Sequence, residues 1–372
     1  MLSLLVLLTC LPQDPKPATS TEVEAWFSRE QSQRCAAAAE RGLAWLKNQQ
    51  LESGAWVGLV GHKMNDDYQL QPDSPLPDAQ RRSGHGHVGV TALAGMAFLA
   101  GGSLPDRGPH AVVVRRTLDY LTTTAHENGY LSDAGTRMYS HAFGTLFLAE
   151  VYGMAATDRT KVTLERAVTL IVDTQNAHGG WRYNPFDRET DLSVTVCQLQ
   201  ALRAAHNIGI RVPIETIEKA MAYVQASRVR SGRSEGLYYY KIYGARGAYD
   251  KPEEYAINAA ALTALRCAGL HDDNLADPVL QFLTREYPAL ADSYYRSHYY
   301  FWYGNYYAAQ AFYQSGGPRL RAYFARLSAD LLESQAADGR WRNSAGPGDE
   351  FATAVACILL QMPKQYLPIF QR

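Results

Sequence analysis

The strongest constraint on this chain is a turn that recurs along it. "RGLAWLKNQQLESGAW" (41–56) and "RAVTLIVDTQNAHGGW" (166–181) share a basic residue, an apolar pair, a Gln and then Gly-x-Trp. "LLESQAADGRW" (331–341) repeats the second half of that pattern. Degraded copies with Tyr in place of Trp end at Tyr130 and Tyr238, and a further unit near "VLQFLTREYP" (279–288) has lost the turn. Each copy closes a segment whose apolar residues recur at helical spacing. Each is followed by a second, almost wholly apolar helix rich in small residues, such as "HVGVTALAGMAFLAGG" or "DLSVTVCQLQALRAAHNIG". A helix that is apolar all round must be buried. Six pairs of roughly 50 residues, one amphipathic helix and one buried helix in each, fall in the period range of helical repeat arrays. The expected fold is all-α: an α/α toroid of six inner and six outer helices, formed as one domain by residues 21–372.

The Gln…Gly-x-Trp element resembles the QW repeat of squalene-hopene and oxidosqualene cyclases, and the paired-helix ring is similar to the β subunits of protein prenyltransferases. The resemblance runs from about residue 35 to the C-terminus. More narrowly, "GGWRYNP…DLSVTVCQLQALRAA" and the ending "YLPIFQR" resemble exported single-domain repeat proteins of planctomycete type. The resemblance implies a terpene cyclase- or prenyltransferase-like protein with a central cavity for a lipid or isoprenoid. Fold alone does not decide chemistry. The turn residues carry a structural role: Trp56, Trp181 and Trp341 are expected to pack under the next outer helix, with the indole N–H on a loop carbonyl. Gln50, Gln175 and Gln335 are expected to cap helix ends of the neighbouring repeat.

Long connections, residues 57–86, 239–254 and 288–301, all precede inner helices. Binding surfaces are built where long loops collect. The cavity mouth is therefore expected at the N-terminal ends of the inner helices, where helix dipoles also favour anions. Setting the register on Thr91, Thr145 and Thr195 places His87, His141 and Asp191 four residues earlier. Tyr255, then Trp302 or Tyr303, then Asp349 or Glu350, follow in the remaining units. These positions form a ring facing the mouth.

Three chemistries fit that ring. In the first, Asp191 is a general acid: "ETDLS" (189–193) resembles the acid motif of the cyclases, with Glu189 as a partner carboxylate. His141, His87 and Tyr255 are further catalytic candidates. Arg182, Tyr183, Tyr303, Tyr306 and Asp349 would contact substrate, and aromatic faces would stabilise cations. In the second, His85, His87, His141 and Asp191 converge on a divalent ion such as zinc. The resemblance to prenyltransferases implies such a site, although Ser193 stands where their Cys ligand would be. In the third, the chain is a secreted polysaccharide lyase or glycosidase. Arg81, Arg82, Arg182, Tyr183 and Tyr255 would then serve a uronate, or Asp191 and Asp349 would form an acid pair. Two readings involve no chemistry at all: Asp191 as a helix N-cap, and the whole ring as a non-catalytic binding scaffold.

Charge and cysteine usage narrow the partners. A formal net charge of −1 offers no electrostatic footprint for nucleic acid. Residues 2–9 form an apolar run too short to span a bilayer. It reads as a weak signal peptide or leader over residues 1–20, with a lipoprotein site at Cys10 as the alternative, so export or a periplasmic location is expected. Cys35, Cys197, Cys267 and Cys357 lack metal or disulfide spacing and read as small core residues. Many of the 24 Tyr cluster in "YYY" (238–240) and "YYRSHYYFWYGNYYAAQAFY" (294–313), which suits either a packed core or an apolar cavity.

Overall fold

The computed structural model describes residues 28–59, 85–243, 251–292 and 295–370. The leader, Cys10, Arg81 and Arg82 lie outside the described residues. Among those described there are twelve α-helices and three short 3₁₀ turns. The outer helices are α1 (Arg29–Gln49), α3 (Ala111–Thr123), α5 (Asp158–Asp173), α7 (Ile214–Ala226), α9 (Asp273–Leu290) and α11 (Gly317–Ser334). The inner helices are α2 (Val88–Ala100), α4 (Met138–Met154), α6 (Leu192–Asn207), α8 (Tyr255–Cys267), α10 (Tyr299–Ser315) and α12 (Asp349–Gln361).

The two sets differ as their sequences require. Every residue of α2 is buried, whereas α5 buries only a stripe that includes Leu164, Ala167, Val168 and Ile171. Each inner helix packs on the next, and α12 packs on α2, so the inner ring closes as an α/α toroid. The outer helix α1 packs chiefly on α12, joining the two ends of the chain. At that seam a Cβ on Gly42 would stand 2.8 Å from Trp341, so only glycine permits the approach.

The recurring turns are clasps. The indole N–H of Trp56, Trp181 and Trp341 donates to Leu46 O, Ile171 O and Leu331 O, each at 2.8 Å. These carbonyls lie near the C-terminal end of each Trp's own outer helix, where helix geometry leaves them without a backbone N–H partner. The backbone N–H of each Trp donates to the hydroxyl of Thr91, Thr195 or Thr353 on the following inner helix. Gln50, Gln175 and Gln335 donate across to Val113 O, Thr216 O and Ala38 O of the next outer helix. These contacts correct two expectations. The Gln side chains reach carbonyls within the helices and not their terminal caps, and the indoles bond their own repeat. Gly54, Gly129 and Gly179 hold positive φ, and a Cβ on any of them would collide with a backbone carbonyl of the next outer helix.

The second repeat achieves the same clasp with a histidine. Its Trp position is Leu131 and not the expected Tyr130: the Leu131 N–H donates to His141 Nδ1 at 3.1 Å, while His141 Nε2–H donates to Ala167 O on α5 at 3.1 Å. His141 thus does the work of the Thr and of the Gln together. Burial holds the imidazole down at about 4, and the bond to Ala167 opposes this only in part. The folded state therefore keeps His141 neutral, and its stabilising contribution is complete above the unfolded value of 6.5 and is lost as pH falls toward 4. Between those values His141 should steepen acid destabilisation by about 1.4 kcal/mol per pH unit. Urea unfolding of wild type and His141→Gln across this range checks it. An unchanged slope in the variant would remove His141 from the clasp.

Candidate functional site

A central cavity of about 330 Å³ opens at the N-terminal ends of the inner helices, and all six of them contribute to its wall. The wall is largely aromatic: Tyr139 and Phe143 from α4, Tyr303 from α10, Phe351 from α12, and Tyr183 and Tyr240 from loops. Each loop tyrosine has a structural reason to be there. Tyr183 stands two residues after Trp181, and Tyr240 two after Tyr238. Their carbonyls accept the first helical N–H of α4 (from Met138) and of α6 (from Leu192), both at 2.9 Å. The loop that follows each clasp therefore lies over the start of the preceding inner helix.

The cavity is a cup and not a channel. Phe143 and Tyr303 are the sixth and fifth residues of their helices, roughly 6–8 Å below the first helical residue at 1.5 Å per residue. Beneath them Tyr306 meets Phe143 edge-on with centroids 5.7 Å apart, and Tyr307 lies 3.0 Å from Cys197 Sγ. Burial raises the phenols of Tyr139 and Tyr303 well above their usual value, so both stay neutral hydrogen-bonding groups. The same cause keeps Tyr306 and Tyr307 neutral in the floor.

Asp191 is the hub of a network behind this wall. It is fully buried and is the N-cap of α6. Its Oδ1 accepts from Val194 N–H at 2.8 Å and from Ser193 Oγ at 2.7 Å, and its Oδ2 is paired with Arg182. Arg182 lies 4.0 Å over the Tyr183 ring and donates to Tyr240 Oη, which is 2.8 Å from Tyr183 Oη. On the other side the Ser193 hydroxyl bonds Tyr139 Oη. Ser193, Tyr139, Tyr183 and Tyr240 line the cavity, and Asp191 does not. Val194 N–H, Ser193 Oγ and the Arg182 guanidinium are all donors to Asp191, so its two oxygens act here as acceptors.

The anticipated ring is only partly assembled. His87, Tyr183 and Tyr303 face the cavity. His87 is the N-cap of α2, its Nδ1 accepting from Val90 N–H. His141 sits one turn deeper than its expected register. Counted from the helix caps, Arg137 stands level with His87 and Asp191, while His141 is level with Thr91 and Thr195. Tyr255 likewise lies one residue beyond the cap Glu254, and its ring is buried beside Gly304 rather than in the cavity wall. Tyr306 belongs to the floor. Asp349 accepts from Asn343 N–H and pairs with Arg340 and Arg342 outside the cavity, and burial raises its carboxyl. Glu189 is half-exposed, and the hydrogen bond and charge of Lys241 hold its carboxyl below the usual value.

The anticipated metal set does not converge. His85 is bound to Asp133 at 2.6 Å, His141 to two backbone groups, and Asp191 to Arg182. Among the described residues no group of three or more His, Cys, Asp or Glu is placed to hold a metal ion. The residues do not fit zinc.

Several cavity residues were missed by the Thr-based register, notably Arg137, Tyr139, Glu254, Tyr240 and Phe351. A usable pattern was present. His87-Val88, Arg137-Met138, Asp191-Leu192 and Glu254-Tyr255 each place a polar cap before the first bulky residue of the helix.

No protein-family model and no curated protein matches the chain by sequence. Its fold is similar to solved structures. A type II terpene cyclase from Scytonema, in complex with geranylgeranyl dihydroxybenzoate, superposes with a TM-score of 0.62 at 13% identity, covering 92% of this chain and all of that one. An α-amylase from Clostridium perfringens gives 0.62 at 9% identity, covering 88% of this chain and 97% of its own. A family 76 glycoside hydrolase (mannosidase) from Bacteroides thetaiotaomicron gives 0.58 at 10% identity, covering 88% and 98%. At such identities the likeness is one of fold. No described helix is long and apolar enough to cross a membrane.

Proposed function

We propose that the aromatic cup binds a small, largely apolar ligand of isoprenoid or lipid type, in a terpene cyclase-like arrangement. The observation that carries this reading is the composition of the wall, in which aromatic rings from three inner helices and two loops converge on one closed-bottom space. Its volume stands at the lower end of the roughly 300–1,000 Å³ usual for small-molecule pockets, which favours a short isoprenoid over a long polyprenyl chain. The polar end of the ligand would meet the helix caps His87, Arg137 and Glu254. Tyr139 and Ser193 present hydroxyls to the ligand. The candidate acid Asp191 reaches the ligand through them and, by way of Arg182, through Tyr240 and Tyr183, which makes it a positioning residue in this reading.

A glycan-directed reading draws on one specific observation, the three polar caps His87, Arg137 and Glu254 facing a space flanked by tyrosine rings. The two readings separate in a binding experiment. Geraniol and farnesol should raise the melting temperature of the wild type saturably, as a ligand selective for the folded state must. Leu93→Trp, which fills the cup from α2, should weaken that binding at least about tenfold, or 1.4 kcal/mol. Stabilisation by neutral or acidic oligosaccharides alone would sink the isoprenoid reading and support the glycan one.

A further inference from the structure

The opposite end of the toroid holds a second cavity, of about 260 Å³, with a different lining. It lies where the inner helices end, below the tyrosine floor. Its wall carries Glu150 from α4, Gln200 and Arg203 from α6, Arg266 from α8, Gln314 from α10 and His271 from the turn before α9. Pro368 and Ile369, near the end of the described chain, close one side.

Two of these side chains are buried without full hydrogen bonding. Glu150 is 2% exposed and its Oε2 has no partner, and Arg266 is 5% exposed with an unpartnered Nε. Gln314 Oε1 is also unpartnered. Groups this deep are ordinarily satisfied, because an unmade bond costs the desolvation of the group. Arg266 has only a distant counter-ion, Asp273 at 3.8 Å, whose own side chain is 92% exposed. A carboxylate that distant and that exposed compensates the buried guanidinium only weakly. Arg203 donates to Cys267 O at 2.8 Å, offsetting the negative end of α8 and leaving the rest of its guanidinium at the cavity.

The local charge is positive. Burial first, then the charges of Arg266 and Arg203, hold the His271 imidazole below its usual value, as expected if all three share one space. The acid offers no compensation at neutral pH. Burial pushes the Glu150 carboxyl up to about 8, against a lowering contact with the Ile369 backbone, so it remains largely a neutral O–H donor. Donors from two arginines and one protonated acid thus surround a space that contains no ionised acceptor of its own.

We propose that this chamber is a binding site for a small oxyanion, the carboxylate or phosphate group of a compact metabolite, held by Arg266 and Arg203 with Glu150 as a donor. It is separate from the aromatic cup, since Tyr306 and Tyr307 fill the axis between them. Tyr306 closes the chamber from above through its hydroxyl contact with Gln200.

The test uses the full chain with inorganic phosphate and with succinate, each compared with sodium chloride at equal ionic strength. Saturable thermal stabilisation by either probe beyond that of chloride supports the site, and which one acts identifies the oxyanion source. Arg203→Gln, an exposed change that the fold should tolerate, and Arg266→Gln should each weaken binding at least about tenfold. Leu93→Trp in the aromatic cup should leave it unchanged. If Arg266→Gln fails to fold, Arg203→Gln decides. Stabilisation no greater than that of chloride, or stabilisation that survives Arg203→Gln, overturns the proposal. Because the cup variant is read separately, failure here leaves the isoprenoid reading intact, and the reverse also holds.

Discussion

Trp181→Ala should lower the unfolding free energy by about 3–5 kcal/mol, the range for truncating a large buried aromatic. The indole is 1% exposed, so its removal leaves a void between α5 and α6. It also removes the indole donor from Ile171 O, a carbonyl near the helix end that is then left with only the Thr174 hydroxyl at 3.2 Å. Equivalent changes at Trp56 and Trp341 should cost similar amounts, since both are fully buried and donate to Leu46 O and Leu331 O at the same distance. Urea titration checks this through a lower midpoint at an unchanged slope. A Trp181→Ala protein as stable as wild type would show that the clasps do not hold the ring.

A second large effect is expected at Asp191, where two substitutions separate the cap from the charge. Asp191→Ala removes the N-cap oxygen and leaves Arg182, whose side chain is only 19% exposed, with Glu189 at 3.8 Å as its remaining carboxylate. Removing one member of a buried pair costs about 3–5 kcal/mol, and the partial exposure of Arg182 places the expected value at the lower end. Asp191→Asn keeps a cap of nearly equal quality and keeps an acceptor for Ser193, but loses the charge facing Arg182. It should cost about 1.5–3 kcal/mol, the value of a hydrogen bond to a charged group. If Asp191 positions Ser193 and Tyr139, the Asn variant retains ligand binding at a temperature where it is folded. Loss of binding or turnover in a folded Asn variant would instead place the Asp191 proton or charge on the ligand.

The architecture was readable from the chain because it rests on signals that packing enforces locally. A Gly that must adopt positive φ against a neighbouring carbonyl, a Trp ten residues from its acceptor and an all-apolar second helix each leave a mark in the sequence. The register of the site was harder to read. Thr145 looks like Thr91 and Thr195, yet α4 begins one turn earlier relative to its threonine, and His141 occupies the clasp position. A histidine that replaces both a Thr and a Gln is invisible to residue-type alignment, because its role depends on Leu131 N–H and Ala167 O lying on opposite sides of it. Tyr255 and Tyr306 were misplaced for a related reason. Within a run of tyrosines the sequence does not say which rings line a space and which fill it, since that depends on the facing residues Gly304 and Phe143. Arg137 and Glu254 were hidden by the same one-turn and one-residue offsets.

The seam between α1 and α12 also bears on how this protein is made. Cys357 reaches Ala39 O across 318 residues, so α1 waits for α12, the last of the described α-helices, before its inward face is covered. At ribosomal rates of roughly 5–20 residues per second, that wait is on the order of 15–60 s. Throughout it, Leu43 and Leu46, which are buried in the finished ring, have no α12 to cover them. An open solenoid has no such delay, because each repeat is completed by its immediate neighbour. For this chain the nascent α1 is therefore a segment in need of a chaperone, and slowing translation between α1 and α12 should raise aggregation more than slowing it before α1 is complete.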